Sequence, residues 1–148
     1  MNKSEKAIEY FRCKFNCSQS VFTVFGTEHG LSENDCLKTS CAFGGGMGRQ
    51  QLICGAVTGA LMALGVKYGK AMGDPDENKQ LTYEKTREFF NEFIRLNGTT
   101  SCRELLKGLD MNDPDDHRKI IEQGLFDTLC EKYVTDSVRI VEEIERKK

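Results

Sequence analysis

Seven cysteines stand in a chain of 148 residues, and the segment Cys54-Gly55-Ala56-Val57-Thr58-Gly59 gives one of them the most informative surroundings. The charged start Met1-Asn2-Lys3-Ser4-Glu5-Lys6 is followed by no apolar leader, so a reducing cytoplasm is the expected compartment. Thiols kept there serve more often as nucleophiles, redox couples or metal ligands than as structural staples. Gly55, Gly59 and Ala63 recur four apart, flanked by Ala56 and Ala60. Such a face lets a second helix approach closely. It either makes room beside Cys54 for another sulfur, a cluster or a small ligand, or it serves close packing alone.

Two further cysteines share a local context. In Asn16-Cys17-Ser18-Gln19 an N-cap residue precedes Cys17 and Gln19 can close a capping box, and Ser101-Cys102-Arg103-Glu104 repeats the arrangement. Each cap would set its thiol at the first position of a helix, where free N–H groups and the dipole favour a thiolate. The alternative is that both are ordinary small residues at helix starts. Cys130 falls in the apolar stripe of the last helix and by itself reads as buried and inert. Cys13, Cys36 and Cys41 carry weaker signals.

Several chemistries find no support. C-x-x-C pairs and common ferredoxin spacings do not occur, which leaves thioredoxin-type motifs, zinc ribbons and haem attachment without a basis. Gly44-Gly45-Gly46-Met47-Gly48-Arg49 could cradle an anion but lacks the Gly-Lys-Ser/Thr ending of a P-loop. Its better-supported role is backbone freedom that brings Cys41 or Cys17 near Cys54. His29 and His117 stand in polar, turn-like contexts and read as surface residues.

The elements that must position these thiols are helical. Tyr10, Cys13, Cys17, Val21 and Val24 form one apolar stripe at helical spacing, in conflict with a break at Asn16. Helices are expected over Glu33 to Ala42, about Arg49 to Tyr68, Tyr83 to Leu96 and Phe126 to Ile144, with Phe89, Phe90, Phe93 and Ile94 facing inward. Three consecutive glycines make Phe43 to Gly48 a loop. Gly73 to Asn78 is linker-like, Asn97-Gly98 is a helix stop, and Asp113-Pro114 is a helix start with Pro at the first position. Sustained period-two alternation occurs nowhere. The expectation is an all-α, compact multi-helix bundle, residues 1–148 forming a single domain around the Gly-rich loop.

Composition narrows the function further. Charged residues make up 30% with a formal charge of -2, apolar residues 39%, and no run of eighteen apolar residues occurs. Neither nucleic-acid binding nor membrane spanning is expected. The Leu52–Val66 and Cys130–Ile144 helices are apolar enough for a homodimer face.

At these residues the chain resembles the C_GCAxxG_C_C family, named for its cysteine pattern. Asn16 to Val21 is similar to the opening cysteine segment of the family. Phe43 to Gly48 followed by Cys54 to Leu61 resembles its central signature, Cys102 to Leu106 its third segment, and Cys130 its last cysteine. The resemblance singles out Cys17, Cys54, Cys102 and Cys130, overrides the inert reading of Cys130, and leaves Cys13, Cys36 and Cys41 as extras. It implies redox activity, with no established substrate and no agreed cofactor.

Three functions follow as expectations. The first is a thiol redox protein, an oxidoreductase or electron carrier, in which Cys17 or Cys102 attacks and Cys54 or Cys130 resolves. Its partner would be a redox protein or a small thiol or electron donor. The second is metal binding, the same four thiolates holding an iron–sulfur cluster or zinc. The third is a non-catalytic helical module that binds a partner.

Overall fold

The computed structural model describes residues 1–147; Lys148, the last residue of the span expected to form one domain, lies outside the described residues. The chain is all-α, as expected. Among the described residues it has no strand, and Ile53 and Ser101 form an isolated antiparallel bridge.

Caps set many of the helix boundaries. The Asn2 side chain accepts from the Glu5 amide to start α1 (Lys3–Arg12). Lys14, in left-handed backbone at φ 71°, then breaks the chain before α2 (Cys17–Gly26). Asn16 closes a full capping box with Gln19, so the break prevails over the continuous apolar stripe. Ser32 caps α3 (Glu33–Ser40), which passes through a single 3-10 turn over Cys41–Phe43.

The Gly-rich segment is a single turn, α4 (Gly44–Met47), with Gly45 and Gly46 in left-handed backbone. Positive φ continues through Met47, Gly48 and Arg49 and returns at Gln51. Residues with a Cβ pay about 1–2 kcal/mol each for that conformation. The helix expected from about Arg49 therefore starts later, as α5 (Gly55–Tyr68).

α6 (Asp76–Asn97) begins directly after Pro75 and ends at Gly98, where φ is 84°. Half of the linker-like stretch is thus helical. Phe89 and Phe93 are fully buried, but Ile94 is 43% exposed and does not face inward as expected. A short α7 (Cys102–Leu105) and α8 (Pro114–Glu122) follow, the latter with Pro114 at its first turn under the Asp113 cap. The expected final helix opens with one π turn, Phe126–Cys130, and continues as α9 (Glu131–Arg146).

The core is the meeting of α2, α5, α6 and α9 around Phe25, Leu64, Phe89, Phe93, Val134 and Val138, all fully buried. A smaller cluster of Leu106, Ile120 and Leu125 includes Cys102 and Cys130. Cys17 packs against both clusters. The small-residue face of α5 meets α2: a Cβ on Gly59 would stand 2.6 Å from the Ser18 carbonyl oxygen. One on Gly55 would stand 3.3 Å from Cys17 Cβ. These glycines set the two helices close enough to bring Cys17 beside the start of α5.

Candidate functional site

A cavity of about 400 Å3 opens at the seam between the two clusters, and Cys17, Cys54, Cys102 and Cys130 all line it. All seven cysteines are free thiols. Cys54, Cys102 and Cys130 are buried and Cys17 is half-buried. Cys13 and Cys41 are exposed, and Cys36 is buried away from the cavity. The chemistry-bearing set therefore comes from four different parts of the chain, and Cys41 stays out of it.

Each thiol is held by local backbone. Cys17 is the first residue of α2, as its cap implied. The Asn16 side chain that accepts from Gln19 also donates to the Cys41 carbonyl at 2.9 Å, tying the start of α2 to the 3-10 turn that leads into the Gly-rich turn. Cys54 is the N-cap residue of α5, and its amide donates to the Thr100 carbonyl at 2.8 Å. Cys102 opens α7 behind Ser101, whose side chain accepts from the Glu104 amide. The Cys102 amide donates to the Leu52 carbonyl at 2.6 Å, so the Ile53–Ser101 bridge locks these two thiols into one register. Cys130 ends the π turn, a local widening found often at functional positions.

The Gly-rich turn forms part of the wall. A Cβ on Gly46 would stand 2.6 Å from the Leu52 amide nitrogen and 2.9 Å from Cys102 Cβ. Buried Gln51, packed against Gly46, ties in the Leu109–Met111 segment, donating to the Leu109 carbonyl at 2.9 Å and accepting from the Met111 amide at 2.8 Å. Tyr133 lines the cavity and donates to the Leu105 carbonyl at 2.8 Å.

The electrostatics depart from what helix starts alone suggest. The neighbouring Cys130 thiol, then burial, hold Cys17 well above the ordinary thiol range. Burial pushes both Cys54 and Cys102 up to about 12. The Ala56 and Val57 amides act on Cys54 in the lowering direction, without closing a side-chain cap hydrogen bond, and burial outweighs them. The expected helix-dipole thiolates are thus corrected to neutral thiols at pH 7. A half-charge at a helix end is outweighed by the cost of a buried anion among three other sulfurs.

This has a consequence for stability. A folded value above the unfolded one stabilises the protein fully below the ordinary thiol value, and that stabilisation is lost as pH rises through the folded value. Cys54 and Cys102 move from 9.0 to about 12, so stability falls above pH 9. Each thiol contributes about 1 kcal/mol per pH unit. Thermal melts across that range are expected to decline less steeply in Cys102→Ser than in the parent chain. Equal slopes would place the Cys102 thiol in contact with water.

The sulfurs are not drawn into one tight knot. Among the described residues, the one set of three or more Cys, His, Asp or Glu ligand atoms within 4.8 Å of one another is Glu28, His29 and Glu145, away from the cavity. Four thiolates on one zinc ion would stand about 3.8 Å apart at a Zn–S distance near 2.3 Å. The pocket is more open than that. Ligands bound to different irons of a cluster stand farther apart than ligands on one zinc ion.

Beyond the four thiols, Asn16, Gly55 and the Gly-rich segment through Arg49, sequence reasoning missed the lining. His117 is exposed as expected, yet it lines the cavity together with Lys14 and Arg49. Nothing in the residue types at Lys14 or Arg49 announces left-handed backbone. The motif spacing could have located His117 only through the position of Cys130 in space.

The family described as "Putative redox-active protein (C_GCAxxG_C_C)" matches residues 15–144, a span that contains all four pocket cysteines. An uncharacterized protein of Archaeoglobus fulgidus is 31% identical over 133 residues, covering 82% of this chain and 88% of the relative. No solved structure matches the chain. Among the described residues no helix is long and apolar enough to cross a membrane. The matched span contains every thiol of the cavity, and on that match the chain belongs to the C_GCAxxG_C_C family.

Proposed function

We propose that the chain is a cysteine-based redox protein in which Cys17 and Cys130 cycle between dithiol and disulfide inside the pocket. The observation that carries this is the adjacency of two thiols: Cys17 and Cys130 line one cavity with their side chains within hydrogen-bonding reach of each other. Half-buried Cys17 is the sulfur that a substrate reaches first, and buried Cys130 is placed to resolve the mixed disulfide. Cys54 and Cys102 stand as further neutral thiols in the wall. The Cys130 thiol and burial raise the Cys17 thiol above its ordinary value, so Cys17 rests protonated until it reacts.

Iron–sulfur binding is the second reading, favoured by one specific observation. Four thiols from separate elements face a single cavity without the contraction a lone zinc requires. Cys17, Cys54, Cys102 and Cys130 would be the ligands, and a cluster would supply one-electron transfer. Their protons would leave on binding, offsetting the cost of ionisation in the buried site.

Oxidant titration of anaerobically prepared protein, with metal and sulfide analysis, separates the two. The dithiol reading expects a colourless, metal-free chain that gives up two electrons to form one intramolecular disulfide. Stoichiometric iron and sulfide, with no two-electron thiol couple in their absence, would replace it by the cluster reading.

A further inference from the structure

The mouth of the cavity carries a charge pattern that the thiol chemistry by itself does not require. Lys14, Arg49 and His117 are exposed and line the same cavity as the four cysteines. Among the described residues none of the three has an acidic partner within 4.0 Å to neutralise it. The acidic residue at the mouth, Asp127, lies in the field of Arg12, which is already bound to Glu131 at 2.9 Å. Lys14 and Arg49 outnumber that one carboxylate along the lining, and the rim is left cationic. Beneath that rim Phe15 and Phe126 line the walls. A volume of about 400 Å3 matches a small molecule rather than a folded partner.

The geometry points to a low-molecular-weight disulfide bearing carboxylate or similar anionic groups as the oxidant that enters this pocket. The inference rests on the Cys17–Cys130 dithiol chemistry and names its substrate class. Cys17 Sγ loses its proton and attacks one sulfur of the substrate, whose S–S bond breaks. The first half leaves as a thiolate and takes up a proton, and Cys17 is left in a mixed disulfide. Cys130 Sγ then gives up its proton and attacks Cys17 Sγ, the mixed disulfide breaks, and the second half leaves as a thiolate and takes up that proton. One substrate disulfide is reduced to two thiols, and two protein thiols are oxidised to one disulfide. The anionic groups of the bound disulfide lie beneath the cationic rim while its S–S bond meets Cys17.

The test compares a dianionic bis(nitrobenzoate) disulfide with a neutral dipyridyl disulfide, each rate divided by that of a free small thiol at the same pH. The normalised ratio is expected to favour the dianion by about tenfold or more, the scale of electrostatic focusing into a cleft. High salt and the double change Lys14→Gln with Arg49→Gln should each bring it close to one. A ratio near one in the parent chain, or one unmoved by the double change, overturns the anionic assignment while leaving the dithiol chemistry standing. If neither reagent yields a Cys17–Cys130 disulfide, the dithiol reading itself fails and the substrate class fails with it.

Discussion

Cys17→Ser is expected to abolish the two-electron oxidation of the chain and to leave its fold intact. The expected change is from two electrons released per chain to none, at a stability cost under about 1 kcal/mol. Serine is nearly isosteric, and the position is half-buried at the first residue of a capped helix. The cap itself belongs to Asn16 and Gln19 and survives the change. Cys130→Ser should lose the same couple, because either sulfur alone can form only a mixed disulfide. Cys13→Ser and Cys41→Ser should retain it, since neither thiol lines the cavity. Oxidant titration with thiol counting and thermal melts on the same samples reads both quantities. A Cys17→Ser chain that still closes an intramolecular disulfide would move the working pair elsewhere.

Gly46→Ala carries the largest expected structural effect. Gly46 has φ 71°, so any Cβ brings a conformational cost of about 1–2 kcal/mol. The added methyl also meets neighbours that cannot swing aside: the Leu52 amide nitrogen at 2.6 Å, Gln51 Cα at 2.7 Å and Cys102 Cβ at 2.9 Å. Overpacking of that kind adds about 1–3 kcal/mol. The sum is a loss of about 3 kcal/mol, together with a displacement of Cys102 from its register opposite Leu52. Gly48→Ala is the comparison that separates the two causes. Gly48 has φ 60° with nothing within 4 Å of a built Cβ, so it should lose about 1 kcal/mol and leave the site alone. Denaturant unfolding of the two variants, with Cys102 alkylation as a site probe, checks the difference. Equal losses and equal Cys102 labelling would remove the turn from the account of the pocket.

What the residues alone revealed, and what they hid, divides along physical lines. The caps were legible because capping is local: Asn16 and Gln19 lie three apart, and so do Ser101 and Glu104. The closeness of α2 and α5 was legible in the Gly55, Gly59 and Ala63 ladder, since small residues are what such an approach demands. The helix expected from Arg49 failed because Met47, Arg49 and Gln51 adopt positive φ, which their side chains disfavour and tertiary contacts impose. Gln51 shows the reason: its buried amide ties Leu109 and Met111, almost sixty residues away in sequence, to that turn. No local pattern encodes such a clamp.

The thiol ionisation was misread for a related reason. A dipole at a helix start is a property of the next few residues, whereas burial of Cys102 among Cys54, Cys130 and Leu106 is a property of the folded whole. α7 is moreover a single turn, too short to bring much dipole to its first residue. The extent of α6 was hidden by Gly73 and Pro75, which end the preceding loop rather than the helix. His117, Lys14 and Arg49 join the site only through the shape of the cavity.

Peptide mapping of the oxidised chain, with free thiols blocked before digestion, addresses the pairing at the centre of this account. A single linkage joining the Cys17 and Cys130 peptides, with Cys54 and Cys102 recovered as blocked thiols, is the expected result. Recovery of the bond between Cys36 and Cys41, or of chains joined through Cys13 with the pocket thiols still reduced, would contradict it.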